Sequence, residues 1–367
     1  MSKIAIITNI PSPYRVDLFY YLQTHVTEHQ FHVIYTSGNE DNRAWTVQKE
    51  KLLNTHILDA KKIKLRNKLD VRYIHLPTNV GKVLSEIQPE AVIASEYNPA
   101  ALQGLLWTKT HGKKYIHWTD GTLHSERNIG KIQKLMRKII CGNADTCIAS
   151  STKSKEKLLA WGVPEEKIFI SLLTVDISQY QDMNREPIPG RILYVGRITR
   201  GKGLDLLMDA LPHVKYEFQL HIVGDGDDTL ISEIMETAKQ KGIANKITFC
   251  GFKSGQSLLD EYRHASIFVL PTKDDCFGLV LLEAICAGVP VVSSKYADGA
   301  YDIILNGENG YIEDPYQTSA FGHVIEKALK ESELLSNKNV EHIEHFSFAG
   351  VSGGFIKAID LALKGNT

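Results

Sequence analysis

Asp275 and Glu283 stand eight residues apart, and between them Cys276-Phe277-Gly278-Leu279-Val280-Leu281-Leu282 passes from mixed residues into an apolar run. A run of that kind opening after a glycine predicts a buried helix with its N-terminus near Gly278 and Leu279. The first amides of a helix lack an acceptor within it, and its dipole places positive charge there, so the spot suits a diphosphate. Glycine at 278 lets a phosphate approach the chain closely. Ionised carboxylates only accept hydrogen bonds, so Asp275 and Glu283 suit hydroxyl groups on what the diphosphate joins. Glu283 lies beside Leu281, Leu282 and Ala284, which read as buried, and an unpaired buried carboxylate is too costly to keep without such partners. The alternative is a solvent-facing helix acid.

A second constellation, Gly196-Arg197-Ile198-Thr199-Arg200-Gly201-Lys202-Gly203, follows a β-rich run. It has the Gly-x4-Gly-Lys frame of a P-loop, but Gly203 replaces the Ser or Thr that would hold magnesium. The remaining chemistry is that of Arg197 and Lys202, whose charges can offset negative charge building on a phosphate leaving group. Both also read as ordinary solvated turn residues. Asp225-Gly226-Asp227-Asp228 contains Asp-x-Asp, a metal-binding pattern in other proteins, but after the run 221–224 it reads more simply as a turn with a helix N-cap. No metal and no cofactor are expected.

These residues resemble the retaining glycosyltransferases of the family 4 type, the glycosyl transferases group 1. The resemblance rests on the acid-x7-acid pair, which here opens with Asp275 where the family has Glu, on Gly196-Arg197 with Lys202-Gly203, and on Asn9-Ile10-Pro11-Ser12-Pro13-Tyr14-Arg15; it is dense from about 196 to 292. It implies a GT-B fold, two doubly wound Rossmann-like domains facing across a cleft, and an enzyme that moves a hexose or N-acetylhexosamine from a nucleotide-diphosphate sugar, UDP- in preference to GDP-linked, to an acceptor hydroxyl. It assigns donor contacts to Gly196, Arg197, Lys202, Gly224, Asp225, Phe252, Asp275, Cys276, Phe277, Gly278, Leu279, Val280 and Glu283. Phe252 would lie near the base and Glu283 at the ribose, while Asp275, one methylene shorter than Glu, would face the transferred sugar. Ordinary core packing is the other reading of Phe252. On the acceptor side it points to Tyr14, Arg15 and Asp120. The catalytic set is Arg197, Lys202, Asp275, Glu283 and Asp120. Two other functions are compatible with the same residues: a nucleotide-sugar 2-epimerase, and a non-catalytic nucleotide-sugar-binding protein.

The elements that must position these groups alternate. Runs at 4–7, 32–35, 91–95, 114–118 and 146–149 read as strands, and again at 191–195, 218–223, 247–249, 267–270 and 290–293. Helical patterns at 204–211, 229–241, 256–264 and 279–287 lie between the later ones. The rhythm predicts α/β architecture with parallel sheets, whose ligands gather at the carboxyl edge. A domain over 1–176, a proline-bearing linker over 177–190 and a second domain over 191–345 are expected, and the resemblance implies a final helix in 346–367 crossing back to the first. Pro13-Tyr14-Arg15 would open a helix over 16–25, where Arg15 is either an anion-binding group or a surface arginine. Asp120 ends a strand at the same edge. His117, inside that strand, reads as a satisfied core histidine, and His124 as a weaker acceptor candidate.

With 367 residues the chain is long enough for two cores. No run approaches the ~20 apolar residues of a membrane span and the opening residues do not read as a signal peptide, so a cytoplasmic location is expected. Five cysteines without CxxC pairs or metal-spaced histidines read as reduced packing residues. The formal charge is −1, but residues 1–180 hold 24 Lys+Arg against 17 Asp+Glu (+7), leaving 18 against 26 (−8) for the rest. The basic half suits an anionic membrane surface, and the acidic half argues against nucleic acid. Residues 61–69 and a helix over 129–140 with Lys131, Lys134, Arg137 and Lys138 interleave basic and apolar residues. Each reads as a membrane-surface segment or as an amphipathic helix with a solvated face. Peripheral contact with the inner membrane face and a saccharide or lipid-linked acceptor complete the expected partners.

Overall fold

The computed structural model describes residues 1–38, 51–66, 71–181, 183–336 and 340–364. The chain forms two units. The first holds Met1–Asn67, Val71–Asp176 and Phe346–Thr367, the second Ile177–His345.

In the first unit the strands are β1 (Ser2–Thr8), β2 (His29–Tyr35), β3 (Thr55–Ile57), β4 (Ala60–Arg66), β5 (Val71–Pro77), β6 (Ala91–Ser95), β7 (Lys114–Thr119), β8 (Thr146–Ala149) and β9 (Ile168–Ile170). Seven of them make a parallel sheet in the order β3-β2-β1-β6-β7-β8-β9. β1, β6 and β8 are nearly continuous runs of apolar residues because helices cover both faces of such a sheet. Ile7, Ile34, Val92 and Tyr115 pack with Val80, Leu84 and Trp107 from helices Val80–Ile87 and Pro99–Thr110. The last helix, Phe348–Lys364, buries Val351, Phe355, Ala358 and Ile359. It is tied to this unit by Thr146 Oγ1 donating to Ala358 O at 2.9 Å and Ser171 Oγ to Val351 O at 2.8 Å.

Within the basic segment at 61–69, residues 61–66 form a strand, not a helix. Its described part is β4, paired antiparallel with β5 from Ala60 opposite Pro77 to Arg66 opposite Val71, while 67–69 lie outside the described residues. Lys62-Ile63-Lys64-Leu65-Arg66 alternates with period two, and that pattern wins over the charge count.

The second unit is a six-stranded parallel sheet in the order β12-β11-β10-β13-β14-β15. These are β10 (Arg191–Val195), β11 (Gln219–Val223), β12 (Ile247–Gly251), β13 (Ile267–Leu270), β14 (Val291–Ser294) and β15 (Gly310–Glu313). In sequence order that is 3-2-1-4-5-6, so the order reverses between β10 and β13. The loops leaving the carboxyl ends of these two strands flank the place where open α/β sheets bind ligands. In the first sheet the corresponding reversal falls between β1 and β6. Within 177–190 the structure shows a short helix, Ser178–Gln181, and Arg185, whose guanidinium donates to Gly288 O and Ala265 O at 2.5 Å each.

Candidate functional site

The loop after β10 carries Gly196 to Gly203, and the loop after β13 carries Asp275 to Gly278. Two glycines let the site close. Gly203 has φ +72°, and a Cβ on it would lie 2.0 Å from Pro271 O, so only glycine lets the two loops touch there. Thr272 Oγ1 and the Lys273 amide then donate to Gly201 O at 3.0 and 2.8 Å. Gly224, at φ +142°, abuts the first loop from the other side, where a Cβ would sit 2.0 Å from Gly196 O. The Ile198 amide donates to Asp225 O at 2.8 Å, which locks the loops after β10 and β11 together.

This framework brings Lys202 onto Asp275. Lys202 Nζ lies 2.5 Å from Asp275 Oδ2, and both side chains are mostly shielded from solvent. Asp275 Oδ1 accepts from the amides of Phe277 at 3.3 Å and Gly278 at 3.1 Å. Burial pushes the Asp275 carboxyl up, but the Lys202 charge, its hydrogen bond and the two amides together outweigh this and hold the group below the usual aspartate range. Helix Leu279–Cys286 starts directly after left-handed Gly278, so the amides of Leu279 and Val280 open it without intrahelical acceptors. A cation, a carboxylate and a helix N-terminus thus meet at the reversal point of the sheet. Such a set can bind an anion at the amides while Lys202 exchanges Asp275 for it.

The other expected donor residues fall around this centre. Cys276 is half-buried and Phe277 is packed inside. Arg197 is half-buried in the Gly196 loop, and its carbonyl accepts from Tyr194 Oη at 3.0 Å. The Asp225 carboxylate accepts from the Phe252 amide at 3.1 Å, leaving the Phe252 ring 49 % exposed on the loop after β12. An exposed aromatic face is not core packing, and it offers a surface for a flat ring. Asp227, from the Asp-x-Asp pattern, caps helix Asp228–Gln240 by accepting from Thr229 N at 2.9 Å.

Glu283 stands apart from the Lys202–Asp275 pair. It is half-buried, accepts from Tyr262 Oη at 2.8 Å, and burial pushes it up to about 7 against the help of that hydrogen bond. A carboxyl raised in the folded state favours folding while it is protonated, and that contribution is lost as pH rises through its folded value. Between the ordinary glutamate value and about 7, the free protein is therefore expected to lose stability with rising pH, and Glu283→Gln to flatten that part of the profile. Thermal melts across the interval check this; parallel profiles for the two proteins would refute it.

In the first unit, Arg15 is buried rather than exposed. One guanidinium nitrogen donates to Thr8 Oγ1 and another to Asp120 Oδ2, each at 2.5 Å, while the group lies 4.6 Å from the Trp118 ring centroid. Burial works against its charge, but Asp120, Tyr14 and Glu96 more than compensate and raise it further. The reading as a surface arginine is corrected: helix Pro13–His25 starts two residues before Arg15 and points it inward. Tyr14 is half-buried beside it, with its ring 5.9 Å from the guanidinium carbon. Asp120 also accepts from Ser150 Oγ at 2.6 Å.

Glu96 was not found from the sequence. It directly follows β6 in the left-handed region at φ 63°, rare for a non-glycine residue, and accepts from the Asp120 amide at 2.6 Å. Burial and the neighbouring Asp120 push its carboxyl up. Lys157, Glu126 and Arg137 extend the set, with Lys157 Nζ 2.7 Å from Thr119 Oγ1 and Arg137 Nε 2.7 Å from Glu126 Oε2. The only sequence signal for Glu96 is its place just past a strand at the sheet's reversal. His117 is in the core against Tyr97, centroids 4.4 Å apart, but neither ring nitrogen has a hydrogen-bond partner among the described residues. It is therefore not a satisfied core histidine, and burial keeps it neutral. His124 lies half-buried in a turn, its carbonyl accepting from Arg127.

The chain aligns over 98 % of its length with the apo lipopolysaccharide outer core galactosyltransferase WaaB, at 21 % identity and a TM-score of 0.76, covering 99 % of that structure. It aligns over 98 % with Anabaena HepE in complex with UDP, at 16 % identity and a TM-score of 0.78, covering all of it. The fold is GT-B. Residues 181–341, which include the Lys202–Asp275 centre, match the family model of glycosyl transferases group 1. The lipopolysaccharide 1,6-galactosyltransferase of Salmonella typhimurium is 30 % identical over 188 residues, 49 % of this chain and 52 % of that protein. The chain spans about a third to a little over half the length of the curated relatives it matches. Among the described residues of this GT-B chain, no helix is long and apolar enough to cross a membrane.

Proposed function

We propose that this chain is a retaining hexosyltransferase of the family 4 type. It takes a hexose or N-acetylhexosamine from a nucleotide-diphosphate sugar, UDP- in preference to GDP-linked, and passes it to a hydroxyl of a glycan or lipid-linked saccharide in cell-surface polysaccharide synthesis. The observation that carries this reading is Lys202 at 2.5 Å from Asp275, whose carboxylate in turn holds the Gly278 amide at a helix start. A diphosphate entering there meets the Lys202 cation and fixed amides, which stabilise the charge of the departing nucleotide without a metal. Asp275, freed from Lys202, is then placed for a sugar hydroxyl, and Glu283 with its Tyr262 partner for the ribose. The match to glycosyl transferases group 1 and the UDP complex of HepE support the reading.

Calorimetric titration with UDP, GDP and their sugars, followed by assay of released nucleotide on adding saccharide acceptors, tests it. Acceptor-dependent release supports transfer. Donor consumed without acceptor means a 2-epimerase, and binding without turnover means a sensor.

The acceptor's lipid would bring the enzyme to a membrane, and the exposed face of helix Lys131–Asn143 supports that contact. Ile132 is 77 % and Leu135 58 % exposed, with Ile139 beside them, and Lys131, Lys134 and Lys138 are exposed as well. Arg137, expected on this face, is instead buried on Glu126. Each lysine near anionic lipid contributes about 1 kcal/mol, so replacing all three with glutamine should weaken binding to anionic vesicles roughly a hundredfold. Co-sedimentation checks this, and equal binding by both proteins rules the contact out.

A further inference from the structure

Outside the nucleotide site, three side chains with metal-binding atoms converge from three elements of the second unit. His221 comes from β11, Cys250 from β12 and Glu261 from helix Gln256–His264, and one ligand atom of each lies within 4.8 Å of the other two. His221 Nδ1 is 3.0 Å from Glu261 Oε2 and 3.7 Å from Cys250 Sγ. Zinc bond lengths of about 2.0–2.3 Å set neighbouring ligands of a tetrahedral site roughly 3.3–3.8 Å apart, close to this spacing. We infer that His221, Cys250 and Glu261 form a binding site for a zinc-like divalent cation, with the fourth position open to solvent.

Two further features favour it. The pairing of β11 with β12 runs from Ile222 opposite Phe249 to Val223 opposite Gly251, so Cys250 is the residue the register skips. Such bulges re-aim a side chain and recur beside functional sites. Glu261 is nearly buried, and its other oxygen takes Lys253 Nζ at 2.5 Å, an outer contact that orients the carboxylate. The Cys250 thiol carries a proton that a cation must displace. Binding then forms a sulfur–metal bond, releases that proton to solvent and leaves the imidazole proton on Nε2. The soft sulfur and the imidazole select zinc, cobalt or cadmium over magnesium or calcium. Spacing along the chain hid this set, since 221, 250 and 261 follow no metal motif and only strand pairing unites them.

The inference does not depend on glycosyl transfer. Titrating the whole chain with Co2+ is expected to give one equivalent of binding with a thiolate-to-cobalt charge-transfer band that Zn2+ abolishes. Cys250→Ser should lose the band and His221→Gln weaken Co2+ binding at least tenfold, with circular dichroism and UDP binding confirming that each variant is folded. Cys276→Ser, which alters the other half-buried cysteine, should keep the band. Absence of the band in the unaltered protein, or its survival in Cys250→Ser, overturns the site.

Discussion

Replacing Lys202 with methionine should cut acceptor-dependent nucleotide release by about 10²–10³, the effect of deleting one preorganised charge-stabilising donor, or roughly 3–4 kcal/mol at the transition state. Methionine keeps the length of the side chain, so the loss isolates the charge. The nucleotide should also bind more weakly, because the cation that exchanges Asp275 for phosphate is gone. A second consequence concerns Asp275 itself. Lys202 and the Phe277 and Gly278 amides hold its carboxyl below the ordinary aspartate value. Such a group adds stability above its unfolded value and loses it as pH falls through the folded one. Without Lys202 the carboxyl rises, so the variant should be less stable near neutrality, and its deficit should shrink on acidification below the ordinary aspartate range. Steady-state rates and paired denaturant melts at several pH values check both parts. Unchanged rates would show that Lys202 is only a structural partner of Asp275.

Gly203→Ala is the second large effect, and here the loss falls on folding. The backbone at 203 is left-handed, which costs alanine about 1–2 kcal/mol by itself. The added methyl would also stand 2.0 Å from Pro271 O, a backbone atom that cannot step aside without moving the end of β13. We expect a total above ~4 kcal/mol, in the range where domains fail to accumulate. Gly307 supplies the control, with φ +81° but nothing within 4 Å of a built Cβ. Gly307→Ala should show the backbone cost alone. Urea midpoints for the two variants separate the contributions, and equal midpoints would mean that the loop after β10 yields freely.

The strands at 91–95, 114–118, 146–149, 191–195 and 267–270 were legible because buried parallel strands are short, nearly pure apolar runs. β3 and β9 were not, since three residues carry too little pattern, nor was β15, where Gly310 and Glu313 leave only two apolar residues between them. β4 was masked by its lysines, although their alternation was in plain view. In the site, the types of residue were readable and their pairing was not. Lys202 and Asp275 lie 73 residues apart, and what joins them is a sheet order that places β10 beside β13. Buried Arg15 and left-handed Glu96 show the same limit in the first unit. A charge alone does not say which way its side chain points, and no propensity singles out a glutamate for φ 63°.

The helix Phe348–Lys364 belongs to the same unit as the first strand of the chain. Ribosomes deliver polypeptide from the N-terminus, so the second unit, whose sheet strands all lie within 191–313, has them available earlier than the first has its closing helix. Until that helix arrives, the surface it will cover on β8 and β9 stays bare. During synthesis the second unit can therefore close its core before the first unit can.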